Sequence, residues 1–138
     1  MLDVPHCHVV FTLPAQLSPL ALQNPRVVYT VLFQAVAETL QTIARDPKHL
    51  GAEIGFLGVL HTWGQTLHHH PHIHCLVPAG GLALDGTAWV PCPKRFFLPV
   101  RVLSRFFRRT FLTALRQAAT QGRLSMQGQC QRWHSPPA

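Results

Sequence analysis

Residues 4–13, VPHCHVVFTL, alternate around a β-branched and aromatic run and stop at Pro14, which predicts a strand. His6, His8, Val10 and Thr12 share one face of it, and Cys7, Val9, Phe11 and Leu13 the other. Ser18-Pro19 can start a short helix. Asn24-Pro25 starts a longer one, with a cap residue followed by proline at the first helical position. Val28, Leu32, Ala35, Val36, Thr39, Leu40 and Ile43 then recur at helical spacing, so one face is buried, and the helix ends near Asp46-Pro47.

Residues 53–63, EIGFLGVLHTW, read as a second strand, GQTLHHHP as a turn, and residues 72–78, HIHCLVP, as a third strand antiparallel to the second. Gly80-Gly81 suggests a bulge. Asp85-Gly86 signals a tight hairpin leading to a fourth strand at 87–91, and the proline-rich stretch 91–99 is a connection. Residues 100–121 form a second long helix. Leu103, Phe106, Phe107, Phe111, Ala114 and Ala118 project to one side of it, and Arg101, Arg105, Arg108, Arg109 and Arg116 almost opposite. The stretch 122–138 shows no period. The order β-α-β-β-β-α, with hairpin connections, predicts an α+β domain: an antiparallel β-sheet flanked by helices.

The 138 residues suit one domain, and 47% apolar residues supply a core. Only 12% are charged, about half the usual share, which argues against a disordered chain. No continuous apolar run approaches the roughly 18 residues of a membrane span, so no membrane partner is expected. The N-terminus carries Asp3 and no early basic residue, unlike a secretory signal. Cys7, Cys75, Cys92 and Cys130 are scattered without a C-x-x-C pair, which speaks against a zinc ribbon. The thiols are read as reduced and the protein as cytoplasmic.

Charge is segregated. Residues 1–85 hold three basic and five acidic residues, whereas residues 86–138 hold nine basic residues and no acid. Such an excess points to an anionic partner, nucleic acid before membrane. A solvated helix face ordinarily mixes signs. The face of Arg101, Arg105, Arg108, Arg109 and Arg116 does not, and reads as a phosphate-binding surface. Trp89, Phe96 and Phe97 are candidates to stack on unpaired bases, whereas Phe106, Phe107 and Phe111 suit the core.

Five of the ten histidines lie between His68 and His74. Residues two apart on a strand face the same way, so His72 and His74 can reach one ion while Ile73 and Cys75 turn into apolar packing. A turn centred near Leu67–His68 sets His61 opposite His74 and Trp63 opposite His72. His61, and after it Gln65, are then the candidates for a third ligand, leaving open positions as in a catalytic metal site. A register change of one residue would remove His61 from the face. H-x-H recurs four times here, at 6/8, 68/70, 70/72 and 72/74, so spacing alone leaves two readings open: a divalent metal site, or partly exposed strand histidines. The middle two pairs fall in the turn and read as a solvated loop. The 6/8 pair is a rival site on another strand, but His6 and His8 read first as plain strand residues, with His8 able to line the site as a neighbour, and His49 and His134 read as surface residues. Phosphate-binding loops and nucleophile elbows are absent, Glu53 is the one carboxylate on a strand near the histidines, and Cys75 alternates away from His74.

The phrases HVVFTLP (8–14), RDPKHLGAEIGFLGVLHTWGQTL (45–67), HHPHIHCLVPAGGL (69–82) and FFLPVRVLSRFFRR (96–109), in that order, resemble transposases of rolling-circle insertion sequences of the insertion-sequence 91 type. These are two-tyrosine members of the HUH endonuclease superfamily, named for His-hydrophobic-His, which here matches His72, Ile73 and His74. The resemblance implies an antiparallel sheet flanked by helices that receives later elements, so the fold here would be incomplete. It also implies Mg²⁺ or Mn²⁺ held by the two histidines and a third polar ligand. Related relaxases take that ligand from an upstream histidine, which favours His61. The implied partner is single-stranded DNA at transposon ends. The implied chemistry is attack of a tyrosine on a scissile phosphate, leaving a 5′-phosphotyrosine and a free 3′-OH.

Two departures qualify what is implied. The family's cysteine-rich zinc segment precedes the strand at which this sequence starts, and its catalytic tyrosines follow the basic helix. Tyr29 is the single tyrosine here, precedes the histidine pair and is assigned to packing. The expectation is a core fragment over 1–125 with an irregular tail over 126–138, retaining a metal site and a DNA-binding surface but unable to cleave alone. The alternatives are a non-catalytic single-stranded nucleic-acid-binding remnant and a small metal-dependent hydrolase. The last leaves the arginine helix unexplained.

Overall fold

The computed structural model describes residues 4–63, 69–92 and 99–125. The chain begins with β1 (His6–Thr12), makes a 3₁₀ turn at Ala15–Leu17, then a short helix α1 (Ser18–Gln23) and a long one, α2 (Pro25–Arg45). Five strands follow: β2 (Ala52–Glu53), β3 (Leu57–Trp63), β4 (His69–Pro78), β5 (Gly80–Ala83) and β6 (Trp89–Pro91). Helix α3 (Val100–Thr120) comes last.

The strands form two antiparallel sheets among the described residues, ordered β1-β4-β3 and β2-β5-β6. The run 53–63 is therefore not one strand. Ala52 and Glu53 pair with β5, and the chain crosses to the larger sheet before Leu57. Alternation along 53–63 is continuous, so nothing local marks this break; the pairing partners impose it. Gly80-Gly81 is the return crossing rather than a bulge. A Cβ on Gly81 would collide with the backbone carbonyl of Glu53, so the close approach of β5 to β2 requires glycine there. Asp85-Gly86 does turn the chain. Gly86 takes φ +78°, and Asp85 Oδ1 accepts from the Thr87 amide at 3.0 Å and its hydroxyl at 2.6 Å. The closing bond, from Ala83 N–H to Ala88 O at 2.8 Å, makes the loop longer than a two-residue hairpin, and the strand after it starts at Trp89.

One face of the larger sheet is buried under the helices. Phe11, Ile73, Cys75 and Val77 project into a core shared with Val28, Leu32, Val36 and Leu40 of α2 and with Leu103, Phe107, Phe111 and Leu115 of α3. Full burial of each such aliphatic side chain contributes roughly 1.5–3 kcal/mol. Leu115 joins the apolar stripe read from the sequence, while Phe106 and Ala114 lie at its half-buried margin. The Phe107 ring packs on Phe11 at 4.9 Å and on Phe111 at 5.8 Å, which seats α3 beneath β1. Helix α2 has the length and apolar composition of a membrane span, but half of its most apolar window is buried inside the protein, as in a core helix. Asn24 makes no side-chain cap on α2. It donates instead to Leu20 O at 3.1 Å and pairs with both backbone groups of Ser125, at 2.8 and 2.7 Å.

The opposite face of this sheet carries no packed element among the described residues. Val10, Leu57, Val59 and Leu76 are exposed on it, and the histidines stand among them.

Candidate metal centre and nucleic-acid interface

Strand β4 begins at His69, three residues before the expected start. Pro71 is fully buried and its carbonyl accepts from Leu13 N–H at 2.9 Å, which draws the polyhistidine stretch into the sheet. His69 and His70 thus belong to a strand and not to a solvated turn. Strict alternation then turns His70, His72 and His74 to the open face and Pro71, Ile73, Cys75 and Val77 to the core.

His61 on β3 faces His72 across the ladder, with Val59 opposite His74 and Trp63 opposite His69 after a bulge between His61 and Trp63. The expected register is therefore displaced by two residues. An even displacement keeps each side chain on its own face, so His61 stays with the pair. Ring centroids are 4.5 Å apart for His61 and His74, 5.4 Å for His61 and His72, and 4.8 Å for His72 and His74. One ring nitrogen from each of the three histidines lies within 4.8 Å of the others, which is a spacing that could hold one metal ion. Gln65, Phe96 and Phe97 lie outside the described residues.

Hydrogen bonds orient two of these rings. His72 Nδ1 lies 2.8 Å from the His70 carbonyl. A carbonyl only accepts, so Nδ1 donates and the neutral ring keeps its lone pair on Nε2. His74 Nδ1 lies 2.8 Å from Nε2 of His8 on β1, and the two rings stack with centroids 4.9 Å apart. Partial desolvation, and then the neighbouring His61, His72 and His8, hold the His74 pKa below the usual 6.5. The neutral imidazole that a metal requires is thereby favoured.

Neither Cys75 nor Glu53 belongs to this group. Cys75 is buried on the core face, where desolvation pushes its thiol up to about 11. Glu53 sits in the smaller sheet and pairs with Arg45 at 2.9 Å. Tyr29 lies on α2, on the core side of β4, with its hydroxyl 2.8 Å from His69 Nε2. A residue there is separated by the sheet from the open-face histidines. No sequence signal marked the Tyr29–His69 pair, because it depends on the strand beginning at His69.

Arg101, Arg105, Arg108, Arg109 and Arg116 are all exposed, and together they line one groove along α3 with Ser104, Leu112 and Thr113. The Arg109 guanidinium lies over the Phe106 ring, 5.5 Å from its centroid. Neither helix nor groove has an acidic residue. Trp89 is exposed on β6, in the other sheet.

The fold is similar to that of a conjugative relaxase. The described architecture superimposes on conjugative relaxase TrwC solved in complex with oriT DNA in a metal-bound form, with a TM-score of 0.63 and 15% identity, over 80% of this chain and 42% of the relaxase. The metal-free form of the same complex matches equally well, at 0.63. A transposase family described as "Putative transposase" matches residues 55–135, more than half of the sequence, and the chain belongs to that family. The matched segment includes the histidine strand and the basic helix, and extends through most of the tail. The chain is 60% identical over 124 residues to "Putative transposase y4qJ" of Sinorhizobium fredii (strain NBRC 101917 / NGR234), covering 90% of this chain. It is 44% identical over 85 residues to the transposase for insertion sequence element IS801 of Pseudomonas savastanoi pv. phaseolicola, covering 62% of this chain. It spans 31% of the first relative's length and 20% of the second's.

Proposed function

We propose that this chain carries the metal-binding and DNA-binding core of a transposase that nicks and transfers single-stranded DNA at transposon ends. The observation that carries the reading is the meeting of His61, His72 and His74 on the open sheet face, their ring nitrogens within 4.8 Å. The donor set fits a divalent transition ion. Three imidazole nitrogens suit such an ion better than Mg²⁺, which prefers oxygen, so Mn²⁺ is favoured of the two ions the family resemblance implies. When bound, the ion supplies Lewis-acid polarisation of the scissile phosphate.

The chain's own residues would do the rest by position. His72 keeps its Nε2 lone pair outward because Nδ1 is committed to the His70 carbonyl. Exposed Val59 and Leu76 flank the histidines and offer apolar surface to unpaired bases. The five arginines of α3 would hold phosphates elsewhere along the strand. Tyr29 is on the wrong side of the sheet to act as nucleophile, so the attacking tyrosine would come from residues other than those of this chain. A cytoplasmic location goes with this reading, as does the division into a core over 1–125 and a tail over 126–138.

Mn²⁺ calorimetry on the parent chain and on a His72→Ala/His74→Ala variant is the test. Binding by the parent that disappears in a folded variant is expected, together with single-strand binding and no covalent DNA adduct. A folded parent that binds single strands but no Mn²⁺ would leave a nucleic-acid-binding remnant. An adduct formed by the purified chain would overturn the assignment of Tyr29.

A further inference from the structure

We infer that His8 is the positioning residue of the histidine centre: it holds His74 in the tautomer and orientation that presents Nε2 to the metal. This rests on the proposed metal site, and it assigns a part to a residue on a strand that supplies none of the three ligands.

The hydrogen bond between His8 Nε2 and His74 Nδ1, at 2.8 Å, joins two ring nitrogens, so one must donate and the other accept. If His74 Nδ1 accepted, its proton would sit on Nε2 and block that atom as a ligand. If His74 Nδ1 donates, Nε2 keeps its lone pair, and His8 carries its own proton on Nδ1. The second arrangement gives His74 the same form that the carbonyl of His70 gives His72. Both members of the H-x-H pair then offer the same nitrogen to one point. In metal sites a ligating imidazole commonly donates its second N–H to a partner that fixes the ring.

The fold supports this assignment. β1 pairs with β4 so that Val9 opposes Cys75 and Val10 opposes His74. His8 is therefore one same-face step along β1 from the residue directly across from His74, a diagonal reach that long side chains span. Its ring lies nearly parallel to His74, at 23°, so the contact restrains ring rotation as well as the proton. Among the described residues Glu53, the carboxylate read as near the histidines, does not take this role: it lies in the other sheet and is engaged by Arg45 of α2.

The test uses the full chain and three variants, His8→Ala, His8→Phe and His8→Gln. Phenylalanine keeps a ring without a nitrogen. Glutamine can place an amide oxygen near the former Nε2 position and still accept. Mn²⁺ affinity by calorimetry should fall on the order of 10–100-fold in the Ala and Phe variants and recover most of that loss in the Gln variant. Independently of metal, nitrogen-detected NMR of the His74 ring should show the proton on Nδ1 in the parent and a mixture of tautomers in His8→Phe. Parent-like affinity in His8→Phe would overturn the inference, as would an unchanged His74 tautomer there. Equal loss in all three variants would overturn it too, and would make His8 a ligand instead. A folded parent that binds no Mn²⁺ would overturn the metal site itself, while the tautomer measurement would still decide whether His8 sets the ring.

Discussion

Tyr29 Oη and His69 Nε2 meet at 2.8 Å on the helix-covered side of β4, behind the three histidines of the open face. Burial raises the phenol pKa above 10, so the tyrosine stays protonated at neutral pH. Desolvation lowers the His69 pKa from 6.5, with the Ser18 backbone acting weakly the other way. The pair is a structural contact between helix and strand.

That contact makes stability pH-dependent with a fixed sign. Above pH 6.5 His69 is neutral in both folded and unfolded chains and contributes no dependence. As pH falls below 6.5 the unfolded chain takes up a proton that the folded chain resists, and stability is lost down to the lower folded pKa. Urea midpoints of the parent and of His69→Gln, which can still pair with Tyr29, should therefore converge as pH goes from 7.5 to 5. An equally steep decline in both would show that His69 is not the titrating group.

The basic helix predicts a salt response. Each phosphate neutralised on a single strand contributes about −0.7 to the slope of log affinity against log salt. Arg105 and Arg109 are exposed on the groove-lining face of α3, so Arg105→Gln/Arg109→Gln should flatten that slope by about 1.4 if both contact the backbone. Fluorescence anisotropy with a labelled oligonucleotide, from low to moderate salt, reads this directly. An unchanged slope would remove both residues from the interface, however much the affinity moved.

How far the sequence revealed this arrangement depended on whether a feature was local. The pair His72 and His74 was legible because period-two alternation needs no partner. His61 was legible as a face-mate, yet its register was not: a displacement of two residues leaves every face unchanged, so the alternation could not separate His72 from His74 as its opposite number. The second sheet was hidden for a related reason. Nothing in EIGFLGVLHTW distinguishes Glu53, which pairs with Leu82, from Leu57, which pairs with Leu76. The same holds for His69 and His70. Three consecutive histidines look solvated until buried Pro71 and its bond from Leu13 are known. The arginine face of α3 was complete in the sequence, since a helix period and a lack of acids suffice.

Asn24 shows how a residue read as a local cap can act over a long range. Its side chain is buried, donates to Ser125 O and accepts from Ser125 N–H, and so fastens the end of α3's extension to the start of α2, 101 residues apart in sequence. Asn24→Ala removes both bonds and the one to Leu20 O. Losing such partners at a buried position costs about 1–3 kcal/mol, so a drop of that size in urea unfolding is expected. Asn24→Asp separates the two halves of the clamp, because a carboxylate accepts from Ser125 N–H but cannot donate to Ser125 O. Amide exchange at Ser125 should then be fast in the Ala variant and slow in the Asp variant. A change in global stability without faster exchange at Ser125 in Asn24→Ala would place the effect in α1 and α2 alone, and the clamp would be incidental.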